Sequence, residues 1–268
     1  MKKFFVALAI CLSTMQLASC YPNIENNPCI TKDMKKKMEP YLLPIYHPAK
    51  PILDRLFANG RVTQNADTLA EAGFITVSVR PFSFCMVVKH PDLPGYLLKI
   101  YLDSESRIKL RKEGWEWLVL RCEGAAKVRD IIRQQNLKHF SVPDKWLYPL
   151  PAVAGKCAQP VVLLVTDMNL VSQEETDQVW KTKVTPELLR ELYHVLRVGG
   201  ASCHVGWNIP YTKKGQFSCI DTEHPDRRPN FKAVKQYLSE EMALEWDKIV
   251  KKNANKKEKF VKKKAKKN

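Results

Sequence analysis

A chain of 268 residues, 45% hydrophobic and 9% aromatic, has globular composition and the length of one large domain or two modest ones, which excludes a fibrous or wholly disordered protein. Its formal charge of +16 lies mostly at the ends: ten lysines against the single Glu258 occupy 251–268, Lys2 and Lys3 add two units, and residues 51–250 carry only +3. So balanced a body argues against a dedicated nucleic-acid-binding domain.

The first element is a targeting segment. Lys2 and Lys3 precede the apolar run 4–17, which is too short for a permanent membrane helix, and Leu17, Ala18 and Ser19 lead into Cys20. This Leu-Ala-Ser-Cys order resembles the lipobox of bacterial lipoproteins. The resemblance implies cleavage after residue 19, lipidation of Cys20, and a mature chain anchored by lipid at a membrane of the bacterial cell envelope. A plain signal peptide would instead give a secreted protein. No other segment is apolar enough to cross a bilayer. Six cysteines remain beyond Cys11 and Cys20, namely Cys29, Cys85, Cys122, Cys157, Cys203 and Cys219. They permit disulfides in an exported chain, or serve as buried thiols; no C-x-x-C is present.

Residues 20–50, rich in proline and lysine, read as a tether, with the folded part starting near Pro51. Ile52, Leu53, Leu56 and Phe57 share a helical face that ends at Asn59 and Gly60. Three strands follow, at 74–79, 84–88 and 96–102, whose order implies an antiparallel meander. Lys99 stands in the third among apolar neighbours, either reaching out at a sheet edge or placed in a cleft for an anion. The spacing then turns helical over 113–136, with Gly114 and Gly124 as breaks and Asn136 as the stop. Strands return at 145–150 and 161–166, and Asp167 and Met168 follow the second. Thr185, Pro186 and Glu187 open a helix with Leu188, Leu192 and Leu196 on one face, terminated at Gly199 and Gly200. Next come Cys203, His204 and Asn208, a turn at Lys214 and Gly215, and a return to Asp221, Thr222 and Glu223. A last helix over 231–250 precedes a lysine-rich, disordered tail at 251–268.

Three strands, a helix, two strands and a short helical remainder resemble the protein-kinase-like superfamily. Asn208 and Asp221 are thirteen residues apart with Gly215 at the intervening turn, as the catalytic-loop asparagine and metal-binding aspartate are in that superfamily. The resemblance implies an α+β fold: a small antiparallel-sheet lobe over 51–170 with one long helix, and a reduced, mainly helical lobe over 171–250. It implies further that Lys99 engages nucleotide phosphates, that Asp167 and Met168 form the hinge beside adenine, and that Asn208 and Asp221 hold Mg²⁺ with ATP as ligand. Glu123 is the helix carboxylate chosen to pair with Lys99, with Glu116 and Asp130 as alternatives.

The departures are as informative. Cys203 stands where the superfamily has its catalytic aspartate, leaving His204 as the nearby base; the glycine-rich phosphate loop is replaced by Arg80, Pro81, Phe82 and Ser83; and Thr222-Glu223 follows Asp221. These residues point to an atypical phosphotransferase or a pseudokinase. The alternative is a non-enzymatic envelope lipoprotein, a structural or interaction module. Cys203, His204, Cys219, Asp221, Glu223 and His224 are dense in potential zinc ligands but match no zinc spacing. The lysines from Lys251 to Lys267 suit an anionic surface, with nucleic acid the less fitting partner for an exported chain.

Overall fold

The computed structural model describes residues 22–58, 60–79, 85–104, 112–198 and 200–265, with side chains to residue 254. The targeting segment with Cys20, Asn59, the loop 80–84, Gly199 and the tail lysines Lys266 and Lys267 therefore lie outside the described residues.

The fold is α+β, built on a five-stranded antiparallel sheet. The strands are β1 (Ile75–Val79), β2 (Cys85–Lys89), β3 (Tyr96–Tyr101), β5 (Lys145–Pro149) and β6 (Val161–Thr166), in spatial order β1-β2-β3-β6-β5. A two-residue strand β4 (Phe140–Ser141) pairs in parallel with β7 (Phe217–Ser218) outside this sheet. Between β3 and β4 runs the long helix α5 (Gly114–Gln135), stopped by Asn136 in the left-handed conformation at φ 51°. Asparagine tolerates that geometry better than most residues, so it ends the helix where the sequence predicts.

Both faces of the sheet are covered. Leu98 and Ile100 of β3 and Val162 and Leu164 of β6 face helices α3 (Lys50–Ala58) and α4 (Ala66–Glu71) through Leu53, Phe57 and Leu69. Tyr101, Leu163, Val165 and Leu147 face α5 through Trp117, Leu118 and Cys122. Burial on two sides explains why Val161 to Val165 are uniformly apolar instead of alternating. The helical part packs α6 (Gln173–Thr182), α7 (Pro186–Arg197) and α9 (Glu240–Ala265) around Trp180, Leu189, Leu192, Phe217 and Trp246.

Four expectations change. Residues 22–50 are not a tether. They carry α1 (Pro22–Glu25), α2 (Lys32–Met38) and a 3₁₀ turn at Glu39–Tyr41. Ile24, Met38 and Leu43 are buried, and a Cys29–Cys157 disulfide ties the segment to the body. Prolines at helix starts and turns punctuate this segment without preventing its packing. Gly114 and Gly124 do not break α5: a Cβ at Gly114 would strike the Tyr101 ring, and one at Gly124 would overlap the Thr222 carbonyl oxygen. Close approach, not flexibility, requires them. Helices α4 and α6 were not foreseen, because their short polar stretches carry few apolar positions; Asn65 and Ser172 cap them.

The C-terminal segment also differs. A 3₁₀ helix (Phe231–Tyr237) is followed by α9, which Ser239 caps, so the expected single helix is split there. Backbone helix then continues through residue 265 across most of the expected disordered tail. Lysine is a good helix former and a favourable charge near a helix C-terminus, so a packed helix propagates into it.

Candidate functional site

Strand alternation aims two lysines at one point. Lys99 faces α5 with Cys85, Tyr101 and Leu163, as the pairings Val87–Lys99 and Lys99–Leu163 require. Lys145, opposite Val165 on β5, projects from the same face. Lys99 Nζ donates to the Ile220 carbonyl at 3.3 Å and Lys145 Nζ to the same oxygen at 3.1 Å. Lys145 also donates to Thr222 Oγ1 at 2.7 Å, and the Thr222 hydroxyl donates to the Arg121 carbonyl at 2.6 Å.

A third cation completes the cluster. Arg121, buried on α5, donates through Nη1 to Asp221 Oδ1 at 2.5 Å and through Nη2 to Glu223 Oε2. Segment 221–223 comes this close to α5 because Gly124 gives it room. One guanidinium thus grips two carboxylates, with two lysine amines on the adjoining carbonyl and hydroxyl. Burial, reinforced by Arg121, lowers the affinity of the Lys99 amine for its proton. Burial, with Lys99 and Arg121 adding to it, lowers Lys145 well below the usual lysine range. For Asp221, burial pushes the carboxyl up, but Arg121, Lys99 and Lys145 outweigh it and hold it below its ordinary value.

Asp221 is not sealed in; its side chain keeps 27% exposure and faces a cavity of about 240 Å³. Asn208 and His204 line the same cavity, with Arg227 and Arg228 on its wall. Asn208 ends a short helical turn, α8 (Val205–Asn208). Its Nδ2 donates to Ser202 Oγ at 2.9 Å and its carbonyl accepts from Ile220 N at 3.1 Å, which pins the turn beside Asp221. Cys203 is buried, and burial pushes its thiol up to about 11, so it carries no charge at neutral pH.

The structure therefore gathers Asn208, His204 and Asp221 at one cavity, while Lys99 reaches the adjoining Ile220 carbonyl and does not line that cavity. Asp167 and Met168 lie beyond the end of β6, four or more residues from Leu163, roughly 13 Å along the strand. Asp167 N donates to the Gly95 carbonyl and its side chain accepts from Asn169 N.

Glu123 does not pair with Lys99. It sits half-exposed on α5 and bonds Lys127, one turn along, at 2.9 Å. Glu116 accepts from the Glu113 backbone N–H, and Asp130 is exposed. The helix residue that reaches the site is Arg121. Trp117, Arg121, Gly124 and Val128 recur at spacings of four, three and four, all buried, so an arginine on the apolar face was a readable signal. Lys145 was readable by the same logic as Lys99, a cation among apolar strand residues.

A divalent cation held by Asn208 and Asp221 fits this arrangement poorly. Mg²⁺ requires a nearly octahedral set of oxygens, whereas Asp221 Oδ1 and Glu223 Oε2 are already taken by one guanidinium. Among the described residues, no group of three or more His, Cys, Asp or Glu side chains is placed to hold a metal ion. Nor is any helix among them long and apolar enough to cross a membrane.

No family model and no curated protein matches the chain. Among solved structures, the complex of Rv3197 with erythromycin from Mycobacterium tuberculosis is similar at 11% identity, covering 88% of this chain and 72% of that one with a TM-score of 0.32.

Proposed function

We propose that this chain is an exported, lipid-anchored protein with a kinase-like fold that binds a nucleotide and has kept the fold without the phosphoryl-transfer reaction. One observation carries the reading: Lys99 and Lys145 converge on the carbonyl that precedes Asp221, within a cluster open to a cavity through Asp221. The sheet order β1-β2-β3-β6-β5, with the long helix α5 entering after β3, supports a kinase-like small lobe. The short helical part after β6 is then a reduced second lobe.

In this reading Lys99 and Lys145 meet the phosphates, and the backbone at Asp167 and Met168 faces the base. Phosphoryl transfer needs a group to take the acceptor's proton. Cys203, at the position of the superfamily's catalytic aspartate, is a buried, protonated thiol. His204 is exposed at the cavity and is the remaining base for an atypical phosphotransferase.

Thermal unfolding of the full chain with ATP, in EDTA and in Mg²⁺, tests the proposal. A stabilising shift in the parent that is lost in Lys99→Ala is expected. If ATP gives no shift in either buffer, the second reading takes over, that of a non-enzymatic interaction module whose ionic cluster closes on itself; the Arg121 clamp on Asp221 and Glu223 favours that reading.

Export rests on residues 1–20 and is supported by the Cys29–Cys157 disulfide, which suits an oxidising compartment. Incorporation of a fatty-acid label that disappears in Cys20→Ser would establish the anchor; labelling unchanged by that substitution would remove it. The lysine-rich end of α9 is proposed to meet anionic lipid headgroups or an anionic envelope polymer.

A further inference from the structure

The charge arrangement around Asp221 departs from what a metal-dependent nucleotide site needs. Arg121 supplies a fixed positive charge, and Lys99 and Lys145 bring two buried amines, to a cluster whose acidic members are Asp221 and Glu223. The guanidinium forks across both carboxylates, one nitrogen on each. A divalent ion at Asp221 would sit within a few ångströms of a cation that cannot lose its proton.

Arg121 has nowhere else to go. It belongs to the buried face of α5 that Trp117, Gly124 and Val128 share, and Gly124 holds the 221–223 backbone against that face. Swinging the guanidinium out to free Asp221 would also break its bond to Glu223, which is 10% exposed and otherwise meets His224 Nε2 at 3.4 Å. The clamp is therefore part of the packed interior.

We infer that the Arg121 guanidinium takes the place of a divalent cation at Asp221, so that this cluster binds a phosphate-bearing ligand without metal and excludes metal from Asp221. The two roles of a metal in such a site are divided. Arg121 offsets one of the two carboxylate charges that would otherwise repel phosphate, and the Lys99 and Lys145 amines offset the other and supply the donors that attract it. Arg227 and Arg228 on the cavity wall extend the same sign of charge outward. The ligand class is a nucleoside polyphosphate, read as the free anion and not as its magnesium complex.

For its ligand the inference rests on the nucleotide-binding reading above; for metal exclusion it rests on the cluster alone. Two measurements on the full chain keep these apart. The first compares ATP affinity in EDTA with that in excess Mg²⁺. Equal or tighter binding in EDTA is expected; binding measurably weaker in EDTA than in Mg²⁺ overturns the inference while leaving nucleotide binding intact.

The second uses Mn²⁺ alone, with the free ion counted by its paramagnetic resonance signal. The parent is expected to take up no more Mn²⁺ than Asp221→Asn does. One extra equivalent bound by the parent, absent in Asp221→Asn, overturns the inference whatever ATP does. Should ATP fail to bind in either buffer, the ligand half of the inference falls with the nucleotide reading, and the Mn²⁺ result alone decides metal exclusion. Arg121→Gln provides the converse, a gain of one Mn²⁺ site dependent on Asp221. If that variant does not fold, the two measurements on the parent still decide the question.

Discussion

Arg121 and Asp221, one hundred residues apart in the chain, form an ion pair with Nη1 2.5 Å from Oδ1, and the same guanidinium holds Glu223. The arginine side chain is only 5% exposed. Taking away one partner of such a pair leaves an uncompensated charge in a poorly solvated place. Lys99 and Lys145 are near enough to soften the loss, so Arg121→Leu is expected to cost about 3 kcal/mol in urea unfolding, the low end for a broken buried pair. Adding Glu223→Gln to that variant should cost at least about 1 kcal/mol less than Glu223→Gln costs in the parent, because the two changes remove one interaction. Strict additivity would show that the pair is not coupled.

Acid should undo part of this stabilisation. Cations hold the Asp221 carboxyl below its ordinary value of 3.8. A group depressed in the folded state contributes stability above its unfolded value, lost as pH falls through the folded one. The stability difference between the parent and Asp221→Asn should therefore be constant from neutral pH to about pH 5 and shrink progressively below about pH 4. A difference that does not change with pH would mean that the charge of Asp221 contributes nothing.

Gly124→Ala separates two roles of a helical glycine. In an exposed helix the substitution gains up to about 1 kcal/mol from propensity. Here the new Cβ would overlap the Thr222 carbonyl oxygen, a backbone atom that cannot move without shifting Asp221 and Glu223. A net loss of about 2 kcal/mol or more is expected by thermal or urea unfolding, in the range of overpacked cores. Lys99→Ala, which introduces no clash, serves as the comparison for effects on ligand binding. A stabilised Gly124→Ala protein would mean that the 221–223 segment yields to the new Cβ at little cost.

The Cys29–Cys157 disulfide closes a loop of 128 residues. Constraining so long a segment of the unfolded chain is worth roughly 5 kcal/mol in the entropic limit and more commonly about 2–4 kcal/mol. Dithiothreitol should destabilise the parent by that amount and leave Cys29→Ser/Cys157→Ser unchanged. The buried thiols of Cys122 and Cys219, which burial pushes up to about 12, should stay unreactive toward alkylating reagents until the protein unfolds. Rapid alkylation of either under native conditions would contradict their burial.

Much of the sheet was legible in the chain. Strands over 74–79, 84–88, 96–102, 145–150 and 161–166 and the helix 113–136 agree within a residue or so with the observed elements, since period-2 and period-3.6 patterning and the asparagine stop are local properties. Lys99 stood out as a cation in an apolar strand, and Asn208 and Asp221 as a spaced pair around a glycine turn. The packed 22–50 segment was hidden because proline and lysine content says where regular structure is interrupted, not whether the pieces find a surface. Cys29 and Cys157 are joined by geometry, which spacing alone does not choose among fifteen pairings.

The site divides along the same line. By itself the amino-acid order determined which residue types were present and which strands and helix carried them. Only the tertiary structure decided that Arg121, and not Glu123, reaches Asp221, because one residue of register turns a helix by about 100 degrees. Glu123 lands beside Lys127 at the surface and Arg121 lands in the interior. Register against the sheet also decided that Lys145 meets Lys99 at one carbonyl. These contacts join strands and helix across up to 121 residues of chain. They exist only once both faces of the sheet are buried and Gly124 has let the 221–223 segment in.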